Sequence, residues 1–132
     1  RVAAQARDAA AGGPVATIDA ALERWFTPEF RASSPEKVES IRETVLATDP
    51  ASYAAHRLVL AEGVTELIRP KPPLTLPALV VTCENDSGSA QAIASEISGS
   101  QCHIQPDLRH LGLIEASQAF AGRLTQFLSL HA

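Results

Sequence analysis

The sequence predicts an α/β protein in which a helical first half precedes a β-α-β-α unit too small to close a sheet by itself. Two observations carry the helical half: Val15, Ile18, Leu22 and Trp25 recur at spacings of three and four, and Val38, Ile41 and Val45 do so again. A third carries the other half. From Leu74 the pattern changes to LTLPALVVTC, a short, β-branched, continuously apolar run of the kind that forms a strand buried on both faces.

Taken in order, RVAAQARDAA reads as a helix that opens at Arg1 without a capping residue. An incomplete start is therefore expected. GGP, at Gly12 to Pro14, closes that helix and opens the next, with proline where its missing N–H costs nothing. The Val15 to Trp25 stripe follows, and TPEF breaks it. In SSPEKVESIRETVLAT, Ser34 is the expected cap, Pro35 occupies the first turn, and Glu36 lies at the favourable end of the helix dipole. TDPASYAAHRLVLAEG repeats the device with Asp49 and Pro50 and is expected to stop at Gly63, leaving a short turn at VTELI before the proline-rich link RPKPP. The spacings differ between helices, so no repeat array is expected.

In the second half, SAQAIASEI is a helix closed by SGS, and QCHIQPD is a second strand with Cys102 and Ile104 alternating. EASQAFAGRLTQFLSLHA is a final helix with Phe120, Leu124, Phe127 and Leu128 on one face. Two strands joined by a crossover helix lie parallel, and such a pair leaves an apolar face and open edges. Further strands are expected to precede Arg1. In open parallel sheets ligands sit beyond the carboxyl ends of the strands, where VVTCENDSG places Glu84, Asn85 and Asp86.

Composition limits the function. The chain has 132 residues, 45% of them hydrophobic, enough for one domain with a core. A net charge of −4 with 11 scattered Lys and Arg gives no stripe for a phosphate backbone, and no apolar run approaches a membrane span, so neither nucleic acid nor membrane is expected as a partner. Cys83 and Cys102 are too few for a disulfide framework; two buried thiols in a cytoplasmic protein are expected. The four histidines and two cysteines show no metal-ligand spacing, so no metal is expected.

Asp86 follows the first strand directly, and His110, in PDLRHLGLIEASQAF, follows the second in the same way. Both therefore project from one rim. A carboxylate held against an imidazole fixes its tautomer and stabilises the imidazolium formed when it takes a proton, which makes the pair two thirds of a nucleophilic triad. Each residue also has a plainer reading: Asp86 as the cap of the helix starting near Ser89, His110 as a loop histidine beside His56, His103 and His131.

The surrounding segments resemble the C-terminal part of the α/β-hydrolase superfamily. LPALVVTCENDSGSAQAIASEI is similar to its P-x-L-V-I-x-G-x-x-D strand and acid turn, with Cys83 where glycine is usual, and DLRHLGLIEASQAFAGRLTQFL to its G-x-x-H-x-x-x-x-E-x-P-E-x-F segment. ALERWFTPEFRASSPEKVESIRETVLATDPASYAAHRLVL resembles the helical cap of hydrolases like the 3-oxoadipate enol-lactonases, down to RWFTPEF. DSGSAQ lacks the proline that commonly follows the acid, and ASQAF replaces P-E-x-F.

The resemblance implies a helical cap over residues 1–70 and a portion of the hydrolase core over 71–132. It also implies Asp86 as triad acid, His110 as triad base, a small ester or lactone as substrate, and no cofactor. Trp25, in a cap that closes over a site, is a candidate substrate contact. No G-x-S-x-G and no H-G oxyanion segment occur, so the nucleophile is expected from outside the chain, and the chain alone is expected to be inert. The missing hydrolase half, or a second copy at the open sheet edge, is the expected partner. The alternative is an interaction module of hydrolase ancestry without activity, in which Asp86 is a helix cap only.

Overall fold

The computed structural model describes residues 12–67, 72–86 and 90–131, with the backbone alone over 60–67. The helix expected over RVAAQARDAA lies outside these residues. The chain divides into two compact units, Arg1–Glu23 with Pro28–Ile68, and Arg24–Thr27 with Arg69–Ala132. The short stretch Arg24–Thr27 thus groups with the strands, not with the helices on either side of it.

The first unit is helical. A 3-10 turn over Pro14–Ala16 leads into α1 (Ile18–Trp25), then α2 (Pro28–Ser33), α3 (Pro35–Leu46) and α4 (Pro50–Leu67). Ile18, Ala21 and Leu22 are buried as the stripe predicts, but Val15 is 72% exposed. Its 3-10 turn has a different period, so the apolar phase of α1 begins only at Ile18. The break is the two residues Phe26 and Thr27, after which the Pro28 of TPEF starts a short helix of its own. Ser34 sits at the N-cap of α3, yet its hydroxyl makes no capping bond; its carbonyl instead accepts from the N–H groups of Lys37 and Val38 at 3.1 and 3.3 Å. Asp49 does cap α4, since its carboxylate accepts the Ser52 N–H at 2.8 Å, and that bond holds the Asp49 carboxyl below its ordinary range. The expected stop at Gly63 is absent: α4 runs on to Leu67 and takes in most of the VTELI turn. An interior glycine costs a helix only about 1 kcal/mol, and Gly63 has no proline close behind it to stop the helix, the next being Pro70.

In the second unit β1 (Leu79–Cys83), α5 (Ala90–Glu96), β2 (Gln101–Gln105), α6 (Gly112–Glu115) and α7 (Ser117–His131) follow in the predicted order. The strands are parallel and in register from Leu79 opposite Gln101 to Cys83 opposite Gln105. Leu74 to Ala78 precede the strand, with Pro77 offering no N–H to a ladder, although Ala78 C=O already accepts the Gln101 N–H at 2.9 Å. Gly99 closes the α5–β2 link at φ +75°, a conformation side chains rarely take.

Among the described residues the sheet has two strands. Its apolar face is only partly covered: Leu79 and Val81 of β1 and Phe120, Leu124 and Phe127 of α7 line a groove of about 430 Å³, and no α7 residue is buried. Cys83 is buried, but Cys102 is exposed, against the expectation of two buried thiols. The cause is the alternation of β2, which turns Cys102 and Ile104 to the open face. No described helix is long and apolar enough to cross a membrane.

Candidate active site

The carboxyl end of β1 is built from backbone bonds to the loop after β2. Glu84 N–H donates to Gln105 C=O at 2.9 Å, Asn85 N–H to Leu108 C=O at 3.0 Å, and Asp86 N–H turns back to Cys83 C=O at 3.1 Å. The two strand ends are thereby zipped together beyond the ladder. Glu84 adds a side-chain tie: its carboxylate accepts the Asp107 N–H at 3.0 Å, where Asp107 takes φ +58°, a left-handed conformation that aspartate tolerates better than most residues.

This framework brings Asp86 and His110 together. His110 Nδ1 donates to Asp86 Oδ2 at 3.0 Å. Asp86 is the more enclosed partner, its side chain 15% exposed against 52% for His110. A carboxylate on Nδ1 fixes the tautomer that leaves Nε2 as the basic nitrogen, turned away from the acid and toward the open side. The competing reading of Asp86 as a cap for α5 depends on residues 87–89, which lie outside those described.

Trp25 stands beside the pair, its ring centroid 6.3 Å from that of His110 and tilted by 32°. Its C=O accepts the Leu111 N–H at 2.8 Å, which joins the end of α1 to the residue after the histidine. Phe26 is fully buried. His103 pairs along its own strand, Nε2 to Gln105 Oε1 at 3.2 Å. The described residues gather no group of three His, Cys, Asp or Glu side chains that could hold a metal.

Two supporting residues have no role in the sequence reading. Gly112 is buried where α6 meets the last residue of β1: a Cβ there would run into Cys83 Sγ and lie 2.9 Å from Leu108 Cβ. The thiol at a position where the resemblance has glycine is thus housed by a glycine two residues after His110. Burial pushes the Cys83 thiol above its ordinary range, with the charges of Asp86 and Glu115 adding to the rise and a Gly112 backbone hydrogen bond opposing it. Glu115 is the other residue, and its carboxylate takes both the N–H and the hydroxyl of Thr27, at 2.9 and 2.5 Å. A lone glycine inside HLGLIE is the only sequence signal for the first; Glu115 stands at the glutamate of the H-x-x-x-x-E segment and Thr27 in RWFTPEF, but nothing in either segment pairs two residues 88 apart.

Known structures share this arrangement of elements. The enol-lactonase from Burkholderia xenovorans LB400 matches with a TM-score of 0.84 at 26% identity, over 96% of this chain and 49% of its own. A thermophilic esterase from Thermogutta terrifontis, solved with malate bound, matches with a TM-score of 0.76 at 28% identity, over 94% of this chain and 47% of its own. No protein-family description and no curated protein sequence matches the chain significantly. Parallel strands, crossover helix and helical first half are the elements these two solved proteins share with the chain. The chain has the fold of the C-terminal part of an α/β-hydrolase, and it spans about half the length of the two solved proteins it matches.

Proposed function

We propose that the chain supplies the acid and the base of a serine hydrolase acting on a small ester or lactone. The observation that carries the reading is the 3.0 Å bond from His110 Nδ1 to Asp86 at the carboxyl rim of a parallel strand pair. A serine from a hydrolase half outside this sequence attacks the substrate carbonyl, and His110 Nε2 takes its proton and passes it to the departing oxygen. His110 then draws a proton from a water as that water attacks the acyl-serine carbonyl, and returns it to the serine oxygen as the ester bond breaks, which releases the acid and regenerates the serine. Asp86 stays ionised and steadies the imidazolium. An enol-lactone or a simple carboxylic ester is the substrate class, in keeping with the two structural neighbours.

In this reading residues 1–70 are a helical cap, Trp25 forms one wall of the substrate site, and the protein works in the cytoplasm. The partly covered groove on β1 and α7 is the face against which the serine-bearing half packs. The test is complementation. This chain alone is expected to hydrolyse a reactive aryl ester no faster than free imidazole does, and activity is expected when a hydrolase half carrying a serine elbow is joined to it. An active chain on its own, or an inert joined protein, contradicts the proposal.

A further inference from the structure

Three contacts stitch the short stretch Trp25–Thr27 to the segment that carries His110. Trp25 C=O accepts the Leu111 N–H at 2.8 Å, Phe26 C=O accepts from Arg109 Nη1 at 3.4 Å, and Thr27 gives its N–H and its hydroxyl to the two oxygens of Glu115. The last is the strongest in kind. A carboxylate accepting two bonds from one residue in a largely enclosed place, with Thr27 only 9% exposed, fixes both distance and direction. What the stitched stretch delivers is the Trp25 indole, 6.3 Å from the His110 ring. An indole at about 6 Å attracts a cation over its face.

We propose that Glu115 is a positioning residue, whose two hydrogen bonds from Thr27 hold Trp25 against His110 so that the indole steadies the imidazolium formed during turnover. The role of the imidazolium rests on the proposed hydrolase chemistry; the clamp itself does not. Asp86 holds one nitrogen of the ring in its plane, and Trp25 limits where the ring can move. Deleting the Glu115 carboxylate removes two of the bonds that hold Trp25–Thr27, both of them two residues from the indole.

The chain contains a single tryptophan, which makes the clamp visible without any substrate. A protonated imidazole beside an indole quenches its emission, so the fluorescence of the 132-residue chain is expected to fall as His110 takes up a proton, and His110→Gln is expected to abolish that pH-dependent loss. Glu115→Ala is expected to lose most of it while far-UV circular dichroism stays that of the wild type. Thr27→Val, which keeps the N–H but not the hydroxyl, is expected to lose part, and Thr27→Ser is expected to restore it. In the complete hydrolase Glu115→Ala is expected to lower kcat with little change in KM. A wild-type chain with no His110-dependent quenching overturns the clamp, as does a Glu115→Ala variant with the full wild-type amplitude. If Glu115→Ala unfolds, equal amplitudes in Thr27→Val and Thr27→Ser overturn it instead. Because the fluorescence arms need no catalysis, an inert joined hydrolase counts against the proposed function and leaves the clamp standing.

Discussion

Gly112→Ala tests how closely the histidine segment must approach the end of β1. The new methyl would meet three atoms: Cys83 Sγ, Leu108 Cβ at 2.9 Å and Leu108 Cδ1 at 3.0 Å. The terminal Cδ1 can swing aside, but Leu108 Cβ is fixed to its backbone, and that backbone also accepts the Asn85 N–H. Overpacking of this kind costs about 1–3 kcal/mol. Helix propensity returns at most about 1 kcal/mol for glycine to alanine, and less in a helix as short as α6. The net expectation is a loss of about 1–2 kcal/mol, read as a lower urea midpoint and a thermal midpoint several degrees lower. Adding Cys83→Ala should recover part of the loss, because the sulfur is one obstacle of the three, and a double-mutant cycle should show the two positions coupled. Since Gly112 lies two residues from His110, a backbone shift that relieves the clash should also disturb the bond to Asp86 and, if the proposed function holds, slow the complete hydrolase. Wild-type stability in Gly112→Ala would refute the packing argument.

The two thiols should separate by reagent: Cys102 is expected to react with a maleimide in the native chain, and Cys83 only on unfolding, as mass spectrometry of the labelled peptides would show. The folded Cys83 thiol holds its proton more tightly than the unfolded one, so its contribution to stability is present below the ordinary thiol value of 9.0 and declines as pH rises through the folded value; Cys83→Ala should remove that alkaline slope from urea titrations. Asp49 is opposite in sign. Its lowered value gives stability above the ordinary 3.8 that is lost as pH falls through the folded value, so Asp49→Ala should weaken α4 at neutral pH and flatten the acid limb followed by circular dichroism. Glu84→Gln keeps an acceptor for the Asp107 N–H and should be nearly silent, whereas Glu84→Ala should cost about 1 kcal/mol in urea and raise the mobility of the loop before His110.

The order of the second unit was legible because a parallel crossover imposes its own pattern: one continuous apolar run, one short helix, one strand, one helix. The placement of Asp86 and His110 at one rim follows from the same fact, since both parallel strands end on the same side. Local detail was less legible. Gly63 carries the residue type of a helix stop but does not end the helix, and Ser34 holds the expected cap position without a bond from its hydroxyl, because type alone does not determine backbone conformation or hydroxyl direction. Val15 matched a helical spacing and fell in a 3-10 turn. Cys102 looked apolar enough to bury, but burial depends on what covers that face of β2. The Thr27–Glu115 clamp and the fit of Gly112 beneath Cys83 join residues far apart in the chain, and no periodicity reports such pairs.

The proposed role of His110 as base is tested most directly by the rate of ester or enol-lactone hydrolysis in the proposed complete hydrolase carrying His110→Ala. If His110 is the base of the proposed triad, its removal leaves the serine without one, and the expected loss in kcat is on the order of a thousandfold or more. Asp86→Asn should also be severe through the wrong tautomer, with the fold intact, while His103→Ala should leave the rate near normal. Near-normal turnover in His110→Ala, or turnover abolished by His103→Ala instead, would contradict the assignment.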